Sequence, residues 1–397
     1  MSQTETLETF DLPAGFDRRE VWNLLIHCHE RGVSDITISS NDLVWARWRR
    51  TYAPVTRRML DDVEVESIVS KLYGATGPSI LLSGEALDWQ VQAQRTRDDV
   101  LFFRGNATPC SIAGVEKGIQ ITLRPIPGKP PTLAELGIEQ VIVDNLFPAY
   151  GLVLVVGTTG SGKSTLIAAQ NRERLEFRTD KPCKILTFED PIEFPLNGMA
   201  SAMPQPSQVE IGRGRHLNHF TQAGPNAMRR AGDVILMGEM RDRESIDAGF
   251  EMAMTGHSVY STLHVDTPAE VFDRVVSFFP DESQPAAANK LLSVARMFVA
   301  QKLARTVQGK VKAFRSWLIF DRELKALLRN RRFHEWAGVA TQVMRERGTD
   351  FDAPVMRSYL AGEIDAAVAM EVASLTQAEF EAAVERFKAL GAQGGAS

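Results

Sequence analysis

Hydrophobic and polar residues follow two different periods in the first third of the chain. Helical spacing alternates with strand-like alternation between residues 17 and 124. The pattern predicts helices at Arg18–Arg31 and Asp61–Tyr73, and strands at Asp35–Ser39, Leu43–Trp48, Leu87–Gln94, Val100–Asn106 and Ile119–Arg124. This order indicates an α+β unit, with a small sheet and helices on one face.

From Gly151 onward, short apolar runs alternate with helical segments. Strands are predicted at Gly151–Val156, Lys184–Phe188, Asp233–Met237, Ser258–Leu263 and Ala313–Phe320. Helices are predicted at Lys163–Leu175, Leu217–Arg230, Arg243–Met254, Pro268–Phe278 and Asn289–Arg305. Such alternation is typical of an α/β fold with a doubly wound, mostly parallel sheet, whose ligands bind at the carboxyl ends of the strands.

A proline-rich stretch separates the two regions. Residues 125–131 contain four prolines and one glycine, so they can join neither a helix nor a sheet. Thr132 and Glu135 then fit a helix cap. The predicted domains are a flexible N-terminus (1–16), an α+β domain (17–124), a linker (125–131), an α/β domain (132–320) and a helical extension (321–397). That extension includes a helix at Gln377–Leu390, and residues 391–397 are expected to be disordered.

Composition adds constraints on location and partners. The 397 residues carry a formal net charge of −5, so direct binding to nucleic acid is not expected. The acidic N-terminus does not resemble a secretory signal, and no apolar run approaches the roughly 20 residues needed to span a bilayer. Three widely spaced cysteines, Cys28, Cys110 and Cys183, favour a reducing compartment. A cytoplasmic location is expected, with a peripheral position under a membrane left open.

The segment Gly157-Thr158-Thr159-Gly160-Ser161-Gly162-Lys163-Ser164 matches the P-loop pattern without a mismatch. It follows a predicted strand, and Thr165 continues into a predicted helix. Backbone N–H groups of such a loop surround phosphate groups, because the helix N-terminus favours an anion. Lys163 is expected to reach the β- and γ-phosphates of ATP, and the Ser164 hydroxyl to hold Mg²⁺.

Acidic and histidine residues follow three other predicted strands. Glu189, Asp190 and Glu193 follow the first of them, where Glu189 is expected to hold Mg²⁺ through water. Glu239 follows the predicted strand Asp233–Met237, separated from it by Gly238. From this position a carboxylate can orient the water that attacks the γ-phosphate.

The histidines bracket another strand. His264 follows Leu263 and is expected near the nucleotide, whereas His257 lies at the other end and favours a structural or subunit-contact role. Asp233 precedes its strand and favours a structural role. A P-loop enzyme also needs a positive charge opposite the γ-phosphate. Four arginines are candidates to supply it: Arg124, Arg229, Arg230 and Arg241.

Taken together, five ordered motifs resemble those of the type II/IV secretion and type IV pilus ATPase superfamily, of which PilT is a well-known member. They are ITLRPIP with PTLAELG, GLVLVVGTTGSGKSTLIAA, TFEDPIEF, AMRRAGDVILMGEMRD and TGHSVYSTLH, which match the domain junction, Walker A motif, Asp box, atypical Walker B motif and His box. The segment GVSDI resembles the superfamily's opening of a PAS-like N-terminal domain. The segment FRGNATPC is similar to the DotB/TraJ branch, the ATPases of type IVB secretion and plasmid conjugation.

The resemblance implies a fold, an assembly and residue roles. It implies a PAS-like N-terminal domain, a RecA-like motor domain and a homohexamer that binds ATP between the domains and docks on inner-membrane components of a transfer apparatus. It implies nucleotide-site roles for Glu193 and His264, and it makes Glu239 the candidate catalytic acid. Arg229 matches the arginine that precedes the Walker B strand, and Arg124 matches the one near the junction.

Four functions follow as hypotheses. The first is an ATPase that powers a type IVB-like conjugation or secretion machine. A pilus retraction or assembly ATPase is the second, although the retraction signature AIRNLIRE is only echoed at residues 326–330. The others are a nucleotide-gated recruitment scaffold with little turnover and a motor that acts directly on DNA.

Overall fold

The computed structural model describes residues 6–49, 51–97, 99–126, 128–199, 201–212 and 215–394. The chain forms two compact units. The first consists of Met1–Pro130, Glu189–Asn197 and Gln208–His219, and the second of Pro131–Phe188, Gly198–Ser207 and Phe220–Ser397. The first unit therefore takes two segments from the middle of the sequence. The predicted linker spans the change of unit at Pro130, and its residue 127 lies outside the described residues.

The first unit is an antiparallel sheet with helices. Its elements are α1 (Arg18–Glu30), β1 (Asp35–Ser39), β2 (Trp45–Trp48), β3 (Thr51–Pro54), α2 (Asp62–Leu72), α3 (Gly77–Leu82), β4 (Leu87–Gln94), β5 (Val100–Ile112) and β6 (Val115–Ile126). The six strands lie in the order β3-β2-β1-β6-β5-β4. The predicted α+β character of this region is confirmed.

Local chemistry explains where these elements begin and end. Asp17 and Glu20 form a capping box at the start of α1, which satisfies two backbone N–H groups. The long strands β5 and β6 meet at Ala113-Gly114, where both residues have positive φ values of 48° and 80°. Two consecutive positive φ angles suit the twist of a two-residue hairpin turn.

The core of this unit lies between the helices and one face of the sheet. Alternate residues of β4 are buried, including Trp89, which has no exposed surface. Leu7, Leu12 and Phe16 are also buried in this core, so the described part of the N-terminus is packed, where the sequence predicted a flexible segment. The acidic residues between these apolar positions gave the segment the polar composition of a flexible terminus.

The second unit is built on a largely parallel sheet. Its elements up to the sheet's last strand are α4 (Gln140–Asn145), β7 (Gly151–Val156), α5 (Lys163–Glu176), β8 (Ile185–Glu189, whose last residue already belongs to the first unit), α6 (Ala223–Arg229), β10 (Val234–Met237), α7 (Arg243–Met254), β11 (Ser258–Leu263), α8 (Glu270–Val276), α9 (Gln284–Val294), β12 (Ala295–Arg305) and β13 (Val311–Ile319). The short strand β9 (Ser207–Glu210) falls almost wholly in the first unit's segment Gln208–His219. Within the second unit the strand order is β13-β12-β7-β11-β10-β8.

The centre of this sheet is parallel. β7 pairs with β11 on one side and β12 on the other, and β10 pairs with β11 and β8, all in parallel. Every residue of β7, β10 and β11 is buried, as expected for parallel strands that are covered on both faces. The predicted α/β class with a mostly parallel sheet is confirmed.

The prediction of a helix across Asn289–Arg305 was wrong for its second half. The helix α9 ends at Val294, and the chain continues as β12, which pairs antiparallel with β13 from Met297 to Arg305. Alanine, leucine, lysine and arginine favour helices only weakly, and two flanking strands override that preference. The sheet therefore ends in an antiparallel hairpin.

Two smaller predictions also differ from the structure. Thr132 and Glu135 exchange the two hydrogen bonds of a cap, at 2.7 and 3.0 Å, but the residues after them form a turn instead of a helix. The predicted helix Leu217–Arg230 is present only as α6 with a short 3₁₀ turn at Phe220–Gln222 before it.

Helices follow the sheet to the end of the described chain. They are α10 (Arg322–Arg329), α11 (Trp336–Arg347), α12 (Asp352–Leu360), α13 (Ala366–Ala373) and α14 (Gln377–Gly394). The expectation of disorder from residue 391 is wrong for residues 391–394, because α14 runs to Gly394. Residues 395–397 lie outside the described residues. Among the described helices, none combines the length and the apolar character needed to cross a bilayer.

Candidate functional site

The P-loop connects β7 to α5, as the sequence predicted. Three of its glycines, Gly157, Gly160 and Gly162, have φ values of 146°, 81° and 86°, which side-chain-bearing residues rarely adopt. Gly162 is the N-cap of α5, so the loop ends on a helix N-terminus. Backbone N–H groups in this arrangement can bind an anion without any charged side chain.

Lys163 is the first residue of α5 and is 7% exposed. Its ammonium group donates hydrogen bonds to the carbonyl oxygens of Gly157 at 2.7 Å and Thr158 at 2.9 Å. The positive charge is therefore held over the loop that it belongs to. Ser164 and Thr165 follow on the same first turn, with half-buried side chains, whereas Thr158 and Thr159 are exposed.

Glu239 and His264 lie at the same edge of the sheet as the P-loop. Their strands, β10 and β11, run parallel to β7, and the carboxyl end of each strand precedes the candidate residue. The Nε2 atom of His264 is 3.6 Å from Oε1 of Glu239, and both side chains are partly exposed. The sequence prediction that these two side chains lie at this edge agrees with the structure.

The backbone on either side of Glu239 is fixed by the neighbouring strands. The N–H of Gly238 donates to the carbonyl of Phe188 at 2.8 Å, and the N–H of Met240 donates to the carbonyl of Thr262 at 3.0 Å. The Thr262 hydroxyl also donates to the Gly238 carbonyl at 2.7 Å. The carboxylate of Glu239 therefore projects from a backbone that is hydrogen-bonded to both neighbouring strands.

The other ends of these strands carry residues with structural contacts. His257 precedes β11, and its Nδ1 atom lies within hydrogen-bonding distance of the Met252 carbonyl, at 2.9 Å. Asp233 precedes β10 and accepts a hydrogen bond from the N–H of Lys184 at 2.8 Å. These contacts agree with the structural roles expected from the sequence.

Three candidates from the sequence, Arg124, Glu189 and Glu193, belong to the first unit and are described within it. Arg124 lies on β6 and pairs with Asp35, with its Nη2 atom 2.6 Å from Oδ1. Glu193 pairs with Arg104 at 3.3 Å.

Glu189 is held by an amide of the same unit. Oε1 of Glu189 accepts a hydrogen bond from the side chain of Gln208 at 3.3 Å. The sequence did not reveal that the Asp box segment belongs to the first unit.

The remaining arginine candidates lie in the second unit. Arg229 ends α6 with an exposed side chain, and it has no ion pair within the described residues. Arg230 donates to Asn226 and Ser207, and the Arg241 guanidinium lies over the ring of Phe220 at 5.5 Å. Arg229 is therefore the one of these three whose side chain has no hydrogen-bond, ion-pair or ring partner in the part of the chain that the structure describes.

Sequence reasoning missed two residues behind the P-loop. The side chain of Gln301 on β12 donates a hydrogen bond to the Ser161 carbonyl at 2.7 Å, and Arg315 on β13 donates to Gln301 at 2.8 Å. Both side chains are buried. The incorrect helix prediction concealed them, since only the pairing of β12 with β7 brings Gln301 to the loop.

These residues fit a bound nucleotide. The loop combines glycines at positive φ, a helix N-terminus, a buried lysine and a hydroxyl at the second position of the helix. At Gly160 a Cβ atom would meet nothing within 4 Å, so the loop is open on that side. Loop amides and Lys163 would hold the phosphates, and Ser164 would hold Mg²⁺.

The fold and the site define an α/β protein of the P-loop class. Comparison with known proteins shows that residues 92–382 match the family model described as Type II/IV secretion system protein. The chain belongs to this family, and its fold, with an N-terminal antiparallel sheet and a parallel-rich second sheet, matches those of the solved DotB and PilT ATPases.

Individual relatives support the same assignment. The chain is 34% identical to the uncharacterized protein YggR of Escherichia coli K12, over 72% of this chain and 82% of that one. It is 36% identical to the type IV pilus retractation ATPase PilT of Pseudomonas aeruginosa, over 54% of this chain and 60% of PilT. The crystal structure of the Legionella pneumophila ATPase DotB superposes with a TM-score of 0.86 at 33% identity, covering 93% of this chain and 99% of DotB. These findings confirm the resemblance inferred from the motifs.

Proposed function

We propose that this protein hydrolyses ATP to power a type IVB-like secretion or conjugative transfer machine. The observation that carries the proposal is the meeting of the P-loop, Glu239 and His264 at one edge of the parallel sheet. In parallel sheets, ligands bind at this edge. A phosphate-binding loop beside a positioned acid is the minimal arrangement for phosphoryl transfer to water.

Each residue has a distinct part in this proposal. The N–H groups of residues 157–165 and the Lys163 ammonium bind the phosphates of ATP, while the Ser164 hydroxyl holds Mg²⁺, which neutralises phosphate charge. Glu239 orients the attacking water and accepts its proton. His264 senses the γ-phosphate in this proposal, which its distance of 3.6 Å from Glu239 supports.

Glu189, Glu193, Arg124 and Arg229 complete the proposed site. Glu193 acts in turnover, and Glu189 contacts Mg²⁺ through water. We assign the compensating positive charge to Arg229 or Arg124, supplied within one subunit or by the neighbour in a homohexamer. Such a ring would change the relation of its two domains during turnover and dock on inner-membrane proteins.

The closeness of the structural match to DotB supports the type IVB assignment. DotB superposes with a TM-score of 0.86 at 33% identity, whereas the crystal structure of PilT superposes with 0.74 at 24% identity, each over nearly its whole chain. The identity of 36% to PilT keeps pilus retraction as the second candidate function.

A chromosomal deletion complemented with wild type or Glu239→Gln distinguishes these functions. We expect the deletion to abolish transfer of plasmid DNA or secreted protein, and Glu239→Gln not to restore it. Loss of twitching motility with normal transfer would favour the pilus function instead. Full transfer by Glu239→Gln would indicate a recruitment scaffold and contradict the proposal.

A further inference from the structure

Gln301 contacts the P-loop from a neighbouring strand. It follows Ala300, which pairs with Val156 at the end of β7, so β12 places its side chain directly behind the loop. The amide Nε2 of Gln301 donates to the Ser161 carbonyl at 2.7 Å. Gln301 is 5% exposed and Ser161 is 4% exposed. Water cannot replace this hydrogen bond easily, because both partners are buried.

The space behind the loop is filled by Gln301. A Cβ atom at Gly162 would lie 2.6 Å from its Nε2 atom, and one at Gly157 would lie 2.5 Å from its backbone oxygen. Two loop glycines therefore pack against this one residue. The close approach requires glycine at both positions, independently of their positive φ angles.

Arg315 determines which end of the Gln301 amide faces the loop. Gln301 and Arg315 are directly paired across β12 and β13, and Nε of Arg315 donates to Oε1 of Gln301 at 2.8 Å. A guanidinium group can only donate hydrogen bonds. The amide oxygen must therefore face Arg315, which leaves the NH₂ group to face Ser161.

Arg315 is itself held in place by the segment before α4. Its terminal nitrogens donate to the carbonyls of Leu136 and Gly137 and to the Glu139 carboxylate, at 3.0 to 3.2 Å. Burial lowers the pKa of Arg315, an effect that Glu139 opposes. These acceptors keep the guanidinium from turning away from Gln301.

The consequence for the loop follows from the planarity of the peptide bond. The Ser161 carbonyl and the Gly162 N–H belong to one trans peptide, so they point in opposite directions. Because Gln301 fixes the carbonyl, it also directs the Gly162 N–H away from β12, toward the side on which an anion would bind.

We propose that Gln301, oriented by Arg315, is a positioning residue that holds the Ser161–Gly162 peptide of the P-loop ready for phosphate. This role rests on the proposed function, since it concerns the same nucleotide site. Its effect falls on nucleotide affinity, because the side chain touches the loop and not the reacting atoms. The hairpin β12–β13 thereby becomes part of the nucleotide site.

The Gln301→Glu variant tests this role with little loss of packing. Glutamate keeps the length of the side chain and the contact with Arg315, but it presents an oxygen to the Ser161 carbonyl. We expect the dissociation constant for Mg-ADP, measured by titration calorimetry on the full-length protein, to rise about tenfold or more. The KM for ATP should rise similarly, with kcat at saturation within about twofold of wild type.

Two further variants separate positioning from loss of structure. Gln301→Met removes the donor without adding charge, so it should weaken Mg-ADP binding even if Gln301→Glu fails to fold. Lys302→Met changes the next residue of β12, whose ammonium donates to the Val372 carbonyl of α13 at 2.8 Å. It should leave Mg-ADP affinity unchanged.

The outcomes are distinguishable. Wild-type affinity in folded Gln301→Glu and Gln301→Met would overturn the inference alone. Equal weakening by Lys302→Met would also overturn it, because the effect would then reflect general loosening of the hairpin. A wild-type protein without affinity for Mg-ADP would overturn the proposed function as well.

Discussion

His264 and Glu239 lie 3.6 Å apart on the ends of two neighbouring parallel strands. Each side chain is about two-fifths exposed, at 42% and 38%. Exposed pairs of this kind contribute between 0 and about 1 kcal/mol to stability. The pair is therefore better suited to chemistry at the sheet edge than to holding the fold together.

This geometry makes Glu239→Gln informative. We expect kcat for ATP hydrolysis to fall at least about 100-fold, because glutamine cannot accept a proton from water. The affinity for Mg-ADP should be retained, and the melting temperature should change little. Steady-state phosphate release and calorimetric titration measure the two effects separately.

Asp233→Asn is the matched control, since it changes an acid at the other end of the same strand. Its carboxylate accepts the Lys184 N–H, so we expect some loss of stability but normal kcat. If both variants slowed hydrolysis equally, the assignment of Glu239 as the acid would be contradicted.

The loop glycines differ in what a side chain would meet. At Gly157 a Cβ atom would lie 2.5 Å from both the Gln301 carbonyl and the Ser161 hydroxyl, whereas at Gly160 it would meet nothing within 4 Å. Gly157→Ala should lower the free energy of unfolding by about 2 kcal/mol or more, and Gly160→Ala by about 1 kcal/mol, from φ strain alone. Urea unfolding monitored by circular dichroism gives both values, and equal losses would contradict the packing argument.

Glu193 is assigned to turnover although it pairs with Arg104 in the first unit. The pair is exposed, so Glu193→Gln should change stability by less than about 0.5 kcal/mol. If the assignment holds, the rate of ATP hydrolysis should fall at least about tenfold, which is the factor expected when the transition state loses one charge-assisted hydrogen bond. Asp99→Asn is the control, because Asp99 forms a similarly exposed pair with Arg95. Normal turnover in Glu193→Gln would remove this residue from the site.

Lys325 on α10 gives the protein a pH-dependent stability in the alkaline range. Burial, with repulsion from Arg296 and Arg329, lowers its pKa from 10.5 to about 8. Between these two values the unfolded chain binds more protons than the folded chain, so this group makes the unfolding free energy rise with pH. Below about pH 8 the lysine is charged in both the folded and the unfolded chain, so the full free-energy cost of burying its charge lowers the stability of the fold.

Lys325→Met should remove this dependence. The difference in unfolding free energy between variant and wild type should shift in favour of wild type as the pH rises from about 8 to 10. Chemical denaturation at several pH values measures it. A constant difference across that range would contradict the lowered pKa.

Much of the second unit could be predicted because its central strands are covered on both faces. β7 is a continuous apolar run that ends before Gly157, and β11 lies between His257 and His264, so the ends of both strands were visible in the sequence. β12 was not, since its alternation is blurred by helix-forming residues and its conformation depends on β7 and β13. The site residues divide in the same way. Lys163 and Glu239 come shortly after strands that the sequence predicts, whereas Gln301 and Arg315 reach the P-loop only because β12 pairs with β7 and β13.

Local signals alone were also insufficient at Thr132 and Glu135. They form the two hydrogen bonds of a helix cap, yet a turn follows. A cap satisfies backbone N–H groups in either structure, so it predicts a helix only when a longer apolar stripe follows. The placement of Glu193 in the first unit likewise depends on long-range contacts that no local pattern contains.

The initial rate of phosphate release from Mg-ATP, compared between wild type and Lys163→Ala, tests the central claim most directly. Both proteins should be full-length and in the same assembly state, which light scattering can verify. We predict saturable hydrolysis by wild type and a loss of at least about 100-fold in Lys163→Ala, because the buried ammonium that contacts the loop is gone. Equal rates in the two proteins would contradict the account.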